Sequence, residues 1–268
     1  MKYFYIFGGI FLGLIAVLVI LSFTLFSLNS VSVEFETTSL VFDITDSEKD
    51  IVQTAALPEG ACVFFMDKSE PTKRLEKAFP YLKVINIETV FPNKAIIHCA
   101  EREEVFSLQI ENGKELILDE SLKILKIQDA QISTQFNPIQ LLDFQVLSST
   151  TEVGEKITFG DDVDTAIKNF LPAMKLNNRT TAESKALIQS ISYQSLPSIN
   201  DFKDMPALVL KDFTNFFAKL SDACENLTFK ISCYLEALSL LTAEQKESAY
   251  FYIYTNKDEK ITAQLIKD

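Results

Sequence analysis

The 268 residues carry 25 Lys and Arg against 37 Asp and Glu, a formal net charge of −12, with four Cys, one His and no Trp. A surface of that sign repels phosphate backbones and anionic headgroups, so nucleic acid is excluded as a partner. Four cysteines are too few to form a disulfide scaffold for a chain of this length.

The chain begins with an uncharged stretch from Tyr3 to Val33, and Phe4 to Leu28 exceeds the roughly 20 apolar residues that a membrane-crossing helix needs. The run is longer than the roughly 7–15 residues of a signal-peptide core, and Ser27-Leu28-Asn29-Ser30 is a poor cleavage site. The expectation is a three-residue cytoplasmic tail (1–3) and a retained transmembrane helix (4–28). Lys2 biases the N-terminus to the cytoplasm, giving a single-pass type II protein whose bulk is extracytoplasmic. Gly9 and Gly13 make a GxxxG pattern that lets two membrane helices approach, although glycine is common in such helices without any pairing role.

The remainder of the chain has room for two domains with cores of their own. Val31 to Glu36 alternates apolar and polar residues, the period of a strand with one buried face. A short helix capped by Ser47 runs to Pro58-Glu59-Gly60, and a second starts near Ser69 with Pro71 in its first turn and stops at Pro80. Strands follow at Leu82 to Phe91, with Ile85, Ile87 and Phe91 on one face, and at Lys94 to Glu103, with Ala95, Ile97 and Cys99 on one face and His98 on the other. Cys62 and Cys99 lie in separate apolar stretches; they read as buried free thiols, with a bridge between them left open.

Asn112-Gly113 then predicts a type I′ hairpin between Phe106 to Glu111 and Lys114 to Asp119, with a further strand at Leu122 to Ile127. A helix is expected from Asp162 to about Leu176, a polar loop over Asn177 to Glu183, and strands at Ile188 to Tyr193 and Ala207 to Phe213. The longest amphipathic helix is placed at Asp222 to Leu241. Strands at Ser248 to Tyr254 and Lys260 to Ile266 close the chain.

Tyr250, Tyr252 and Tyr254 alternate with apolar neighbours, so one face of their strand is all tyrosine. High strand propensity explains this without function. A partner-binding face explains it too, because tyrosine joins large contact area to a hydroxyl that tolerates water. His98 lacks Cys, Asp or Glu at ligand spacing and reads as solvated. The chain contains no HExxH, GxSxG, GxGxxG, Walker-type or CxxC motif, and no catalytic, cofactor or metal residue is assigned.

Phe79-Pro80-Tyr81-Leu82, Val90-Phe91-Pro92-Asn93 and Ile97-His98-Cys99-Ala100-Glu101-Arg102 resemble the POTRA domain of the bacterial division proteins FtsQ and DivIB, with Pro92, Glu101 and Arg102 falling on its pattern. The Asn112-Gly113 hairpin, and Leu208 to Leu240 with Lys230 inside its helix, resemble the β domain that follows in that family. Glu36-Thr37 and Ser121 depart from the family's usual turn residues. The resemblance implies an α+β architecture: a single N-terminal transmembrane helix, a POTRA-like βααββ domain (29–103), a larger antiparallel-sheet β domain flanked by helices (104–256), and a C-terminal strand or tail (257–268). It also implies a non-enzymatic, cofactor-free scaffold of the division septum. Its partners are two small coiled-coil membrane proteins, FtsB or DivIC together with FtsL, captured in part by strand addition near the end of the β domain, with effects on septal peptidoglycan synthesis. The alternative is a POTRA-bearing anchor for another envelope export or assembly process.

Overall fold

The computed structural model describes residues 10–17, 20, 25–36, 44–130, 138–148, 151–196, 205–255 and 260–267, and the chain divides into two compact units, Met1–Arg102 and Glu103–Asp268. In the first, apolar alternation sets β1 (Ser30–Phe35), followed by α1 (Ile44–Ala55), α2 (Ser69–Ala78), β2 (Leu82–Val90) and β3 (Lys94–Glu101). The strands lie in the order β1-β3-β2, β1 parallel to β3 and β2 antiparallel to it. The parallel pairing follows from the connection: two helices separate β1 from its hairpin, and a parallel neighbour requires a crossover of that kind. Ala95, Ile97 and Cys99 on β3 meet Ile51 and Ala55 from α1 and Leu75 from α2 in one core. Burying each of the larger aliphatic side chains contributes about 1.5–3 kcal/mol.

Two local features depart from simple periodicity. α2 begins where the Asp67 carboxylate accepts the Ser69 N–H (2.9 Å), a bond that holds the Asp67 pKa below the usual carboxylate range. On β2, a bulge between Val84 and Asn86 shifts the register. The expected face of Ile85, Ile87 and Phe91 does not form: the bulge separates Ile85, 43% exposed, from the buried Ile87, and Phe91, 69% exposed, lies past the end of β2 in the turn. An inserted residue reverses the alternation for everything beyond it.

Cys62 and Cys99 are both buried as free thiols. Burial, and then the charge of Glu76, pushes the Cys99 thiol up from its ordinary 9.0 to about 12. Above pH 9.0 the unfolded thiol releases its proton while the native one keeps it, so the native state binds more protons there. The stabilisation is complete below 9.0 and lost as pH rises to about 12. Unfolding titrations from neutral pH upward should give a slope for the native chain steeper than for Cys99→Val by up to about 1.4 kcal/mol per pH unit. Equal slopes would refute the assignment.

The expected transmembrane helix at 4–28 is corrected. Among the described residues no helix is long and apolar enough to cross a membrane. The far end of the expected span belongs instead to the folded unit: Ser27 bridges to Cys62, the Leu28 N–H donates to the Ala61 carbonyl (2.8 Å), and the Leu28 side chain enters the core. Residues 4–9, 18, 19 and 21–24 of that span lie outside the described residues, and Gly9 with them.

The second unit holds β4 (Phe106–Ile110), β5 (Lys114–Leu118), β6 (Ile124–Asp129), β7 (Ile139–Leu142), α3 (Asp161–Leu176), α4 (Thr181–Leu187), β8 (Ile188–Leu196), β9 (Met205–Asp212), β10 (Phe217–Ser221), α5 (Leu227–Leu240), α6 (Ala243–Ser248), β11 (Ala249–Thr255) and β12 (Ile261–Lys267). All nine strands join one sheet in the order β12-β11-β10-β9-β8-β7-β4-β5-β6. The expectation of an antiparallel sheet is corrected here too, because β4 with β7, β7 with β8 and β10 with β11 pair in parallel. Helices carry two of these crossovers, α3 with α4 from β7 to β8 and α5 with α6 from β10 to β11, as parallel neighbours demand. Ile167, Phe170 and Met174 of α3 and Ile231 and Tyr234 of α5 share a core with Phe106, Leu116, Ile191, Leu208 and Ile253 of the sheet.

The turn at Asn112-Gly113 is a three-residue loop rather than type I′. Residues Glu111–Gly113 form a 3₁₀ turn in which Gly113 takes the left-handed conformation (φ 69°) before Ile110 pairs with Lys114. A right-handed turn closed by a left-handed glycine is the next commonest hairpin solution. At the following turn, Asp119 accepts the backbone N–H groups of Ser121 (2.7 Å) and Lys123 (2.9 Å), which stabilises the reversal without a glycine. Residues 177–180 form the expected polar loop, but Thr181 to Glu183 at its end already belong to α4, whose start is fixed by a capping box between Thr180 and Glu183.

Candidate partner-binding edge

The sheet ends differently on its two sides. At β6, the Ile124 N–H donates to the Glu155 carbonyl (2.8 Å), the Gly154 N–H donates to the Ile124 carbonyl (2.8 Å), and Lys123 bridges to Lys156, so the first part of that margin is closed by the chain itself. At the other end β12 pairs antiparallel with β11 along its whole length, from Ala249↔Lys267 to Thr255↔Ile261. Among the described residues no strand pairs with its outer side. An unpaired strand margin offers a row of backbone donors and acceptors to another chain.

β12 is held from within the unit. Ile261 and Leu265 lean on the main core, Ile266 packs with the tyrosines, and Ala263 and Gln264 are exposed. The tyrosine face expected to meet a partner directly lies one strand in from this margin, because β11 is flanked by β10 and β12. Tyr252 is only 5% exposed and forms a small cluster with Ala207, against which Tyr250, Tyr254 and Ile266 pack. The Tyr252 and Tyr254 rings stack at 5.2 Å between centroids, and the Lys219 ammonium sits 4.1 Å from the Tyr250 ring centre, a cation–π contact. Burial raises the Tyr252 hydroxyl pKa, with the Ser221 hydrogen bond opposing. Tyr250, Tyr252 and Tyr254 lie opposite Ile266, Gln264 and Thr262 respectively, so they brace the outer strand.

The helix over this corner is fixed by a buried cation. The Lys230 side chain is 0% exposed, and its Nζ donates to the carbonyls of Asp222 (2.8 Å) and Glu225 (2.9 Å). Burial lowers its pKa, while the charges of Asp222 and Glu225 oppose the shift. Asp222 and Asn226 adopt left-handed backbone (φ 49° and 53°), so the chain reverses tightly between β10 and α5. This is why α5 starts at Leu227 rather than at Asp222, where amphipathic spacing alone put it.

The remaining sequence-marked residues are placed as follows. Pro92 lies in the β2–β3 turn after a cis Phe91–Pro92 bond, and Glu101 ends β3. Arg102 is buried: its Nε donates to the Leu82 carbonyl (3.1 Å), a guanidinium N–H contacts Glu76 Oε1 (2.7 Å), and its backbone N–H donates to the Tyr81 carbonyl (2.7 Å). It joins the end of β3 to the start of β2 and to α2. Gly13 lies in the described helical stretch with open space around it. His98, expected to be solvated, stands between Glu88 (Nε2 to Oε2, 3.0 Å) and Glu34 (Nδ1 to Oε2, 3.6 Å) on the neighbouring strands. The carboxylates take opposite ring nitrogens and so cannot share one ion. Among the described residues no group of three or more His, Cys, Asp or Glu side chains is arranged to hold a metal.

Local sequence could signal the Thr180–Glu183 capping box but not the role of β12, which depends on where the topology puts it. Compared with known proteins, the chain matches no family model and no curated protein.

Proposed function

We propose that this chain is a non-enzymatic scaffold and regulator of bacterial cell division of the FtsQ/DivIB kind. It acts at the cell membrane, enriched at the septum, and influences septal peptidoglycan synthesis. Its partners are FtsB- or DivIC-like and FtsL-like coiled-coil proteins, and it captures an extended segment of one of them on β12. The observation that carries this reading is the outer margin of β12, with which no strand pairs among the described residues, beside β11, which has a neighbouring strand on both sides. Backbone bonding along such a margin supplies affinity, and alternate side chains supply selectivity. The βααββ order of the first unit, with β1 parallel to β3, supports the same family.

Tyr252→Lys is a poor test, since a charge at a 5% exposed position disturbs the sheet itself. Proline on the margin is better. Ala263 and Gln264 are adjacent and exposed, and in an edge strand successive N–H groups point alternately inward and outward. One of Ala263→Pro and Gln264→Pro therefore removes an outward donor and leaves the β11 ladder intact. The variant that keeps its circular dichroism and melting temperature should lose capture of the purified partner ectodomain by at least about tenfold. Undiminished capture by that folded variant would count against strand addition.

A further inference from the structure

One end of the first unit carries exposed aromatic side chains gathered on Phe26, a half-buried ring that packs against the core. Phe26 packs against Phe64 (ring centroids 5.0 Å apart, edge-on) and against Phe91 (5.2 Å). Phe64 and Phe91 are themselves mostly exposed, as is neighbouring Leu25, and Phe65 is 86% exposed. Three separate chain segments converge there, and a contiguous apolar patch of this kind marks an interaction surface.

The fold ties this patch to the uncharged N-terminal stretch. The Val63 N–H donates to the Phe26 carbonyl (2.9 Å), the Gly60 N–H to the Leu28 carbonyl (3.1 Å), and the Leu28 N–H to the Ala61 carbonyl (2.8 Å). The loop bearing Phe64 and Phe65 is thereby laced to the segment that leaves the apolar run. In that run Ile10, Phe11, Leu12, Leu14, Val17 and Ile20 are all exposed. No charged residue occurs between Lys2 and Glu34, so no charge in the sequence separates this stretch from Leu25 and Phe26 of the patch.

We propose that this aromatic end is a lipid-contact face, with Leu25, Phe26, Phe64, Phe65 and Phe91 seated in the interfacial region of a bilayer. Continuity in sequence with the exposed apolar stretch favours lipid over a protein occupant. The net charge of −12 assigns the attraction to apolar burial rather than to anionic headgroups, so contact should neither require acidic lipid nor weaken with salt. The proposal stands independently of partner capture on β12, which belongs to the other unit.

The chain contains no tryptophan, so a single introduced one reports its own surroundings. Phe65→Trp and Phe91→Trp, made separately in the full chain, test the face, and Tyr81→Trp, beside the start of β2, is the control from the other end of the sheet. Each is mixed with phosphatidylcholine vesicles carrying brominated acyl chains, and co-sedimentation is measured alongside emission. The expected result is blue-shifted, strongly quenched emission from Phe65→Trp and Phe91→Trp, retained in high salt, with Tyr81→Trp unquenched. Failure to sediment, unquenched reporters on sedimented protein, or quenching equal at all three positions would overturn the proposal. A blue shift without bromine quenching would also overturn it, because the patch would then be covered by protein, such as a second copy of the chain.

Discussion

Lys230→Ala should destabilise the second unit by about 4 kcal/mol. The substitution leaves the carbonyls of Asp222 and Glu225 without the Nζ donor that bridges them and opens a cavity at a position with 0% exposure. Lys230→Met separates the two effects. It keeps most of the volume and removes only the donors, so its cost should be about 2 kcal/mol. Burial lowers the Lys230 pKa, which means that its charge is held at an energetic cost offset by these carbonyls. Hydrogen exchange measured across a urea series reports each unit separately and checks the ordering. Equal costs for Ala and Met would place the effect in the lost donors alone, and a Met variant as stable as the native chain would place it in packing alone.

Arg102→Ala should destabilise the first unit by about 3 kcal/mol, because removing one member of a buried pair strands the other. The Arg102 side chain is 7% exposed and Glu76 is 23% exposed, so water relieves little of the loss. Glu76 Oε1 also accepts the Val84 N–H (3.2 Å), hence the disturbance should spread into β2 beside its bulge. Arg102→Lys should recover only part of the loss, since an ammonium is a compact point donor and the guanidinium reaches Glu76 and Leu82 through separate nitrogens. The readout is the same exchange-detected unfolding, with the second unit serving as an internal control.

The first unit was the more legible in sequence. Alternation along β1 and β3 and the proline stop after α2 are local signals, and each falls close to its observed place. The bulge at Ile85 was not legible, because a single inserted residue leaves an apolar run looking continuous. In the second unit, helix α3 and the strands around Gly113 could be read from periodicity and turn chemistry. The parallel pairings could not be read, because adjacent strands in sequence suggest a meander and nothing local says that β7 returns beside β4. β10 was missed for a related reason: five residues between a strand and a helix look like part of either.

The tyrosine face illustrates the limit at the candidate site. Its composition suggested an interface, and the spacing of Tyr250, Tyr252 and Tyr254 correctly implied one shared face. Which strand forms the margin is a property of the whole sheet, however, and the topology gives that position to β12. The apolar N-terminal run is similar. Its lack of charge is plain, but only the fold reveals that Ser27 and Leu28 are drawn into pairing with residues 61 and 62.

Hydrogen exchange of the full chain with and without a purified FtsB- or DivIC-like ectodomain bears most directly on the central proposal. Strand addition predicts that amides of Ile261–Lys267 slow markedly on complex formation, while those of β6, the opposite end of the sheet, stay unchanged. Saturating complex formation with the β12 amides exchanging as fast as before would contradict it.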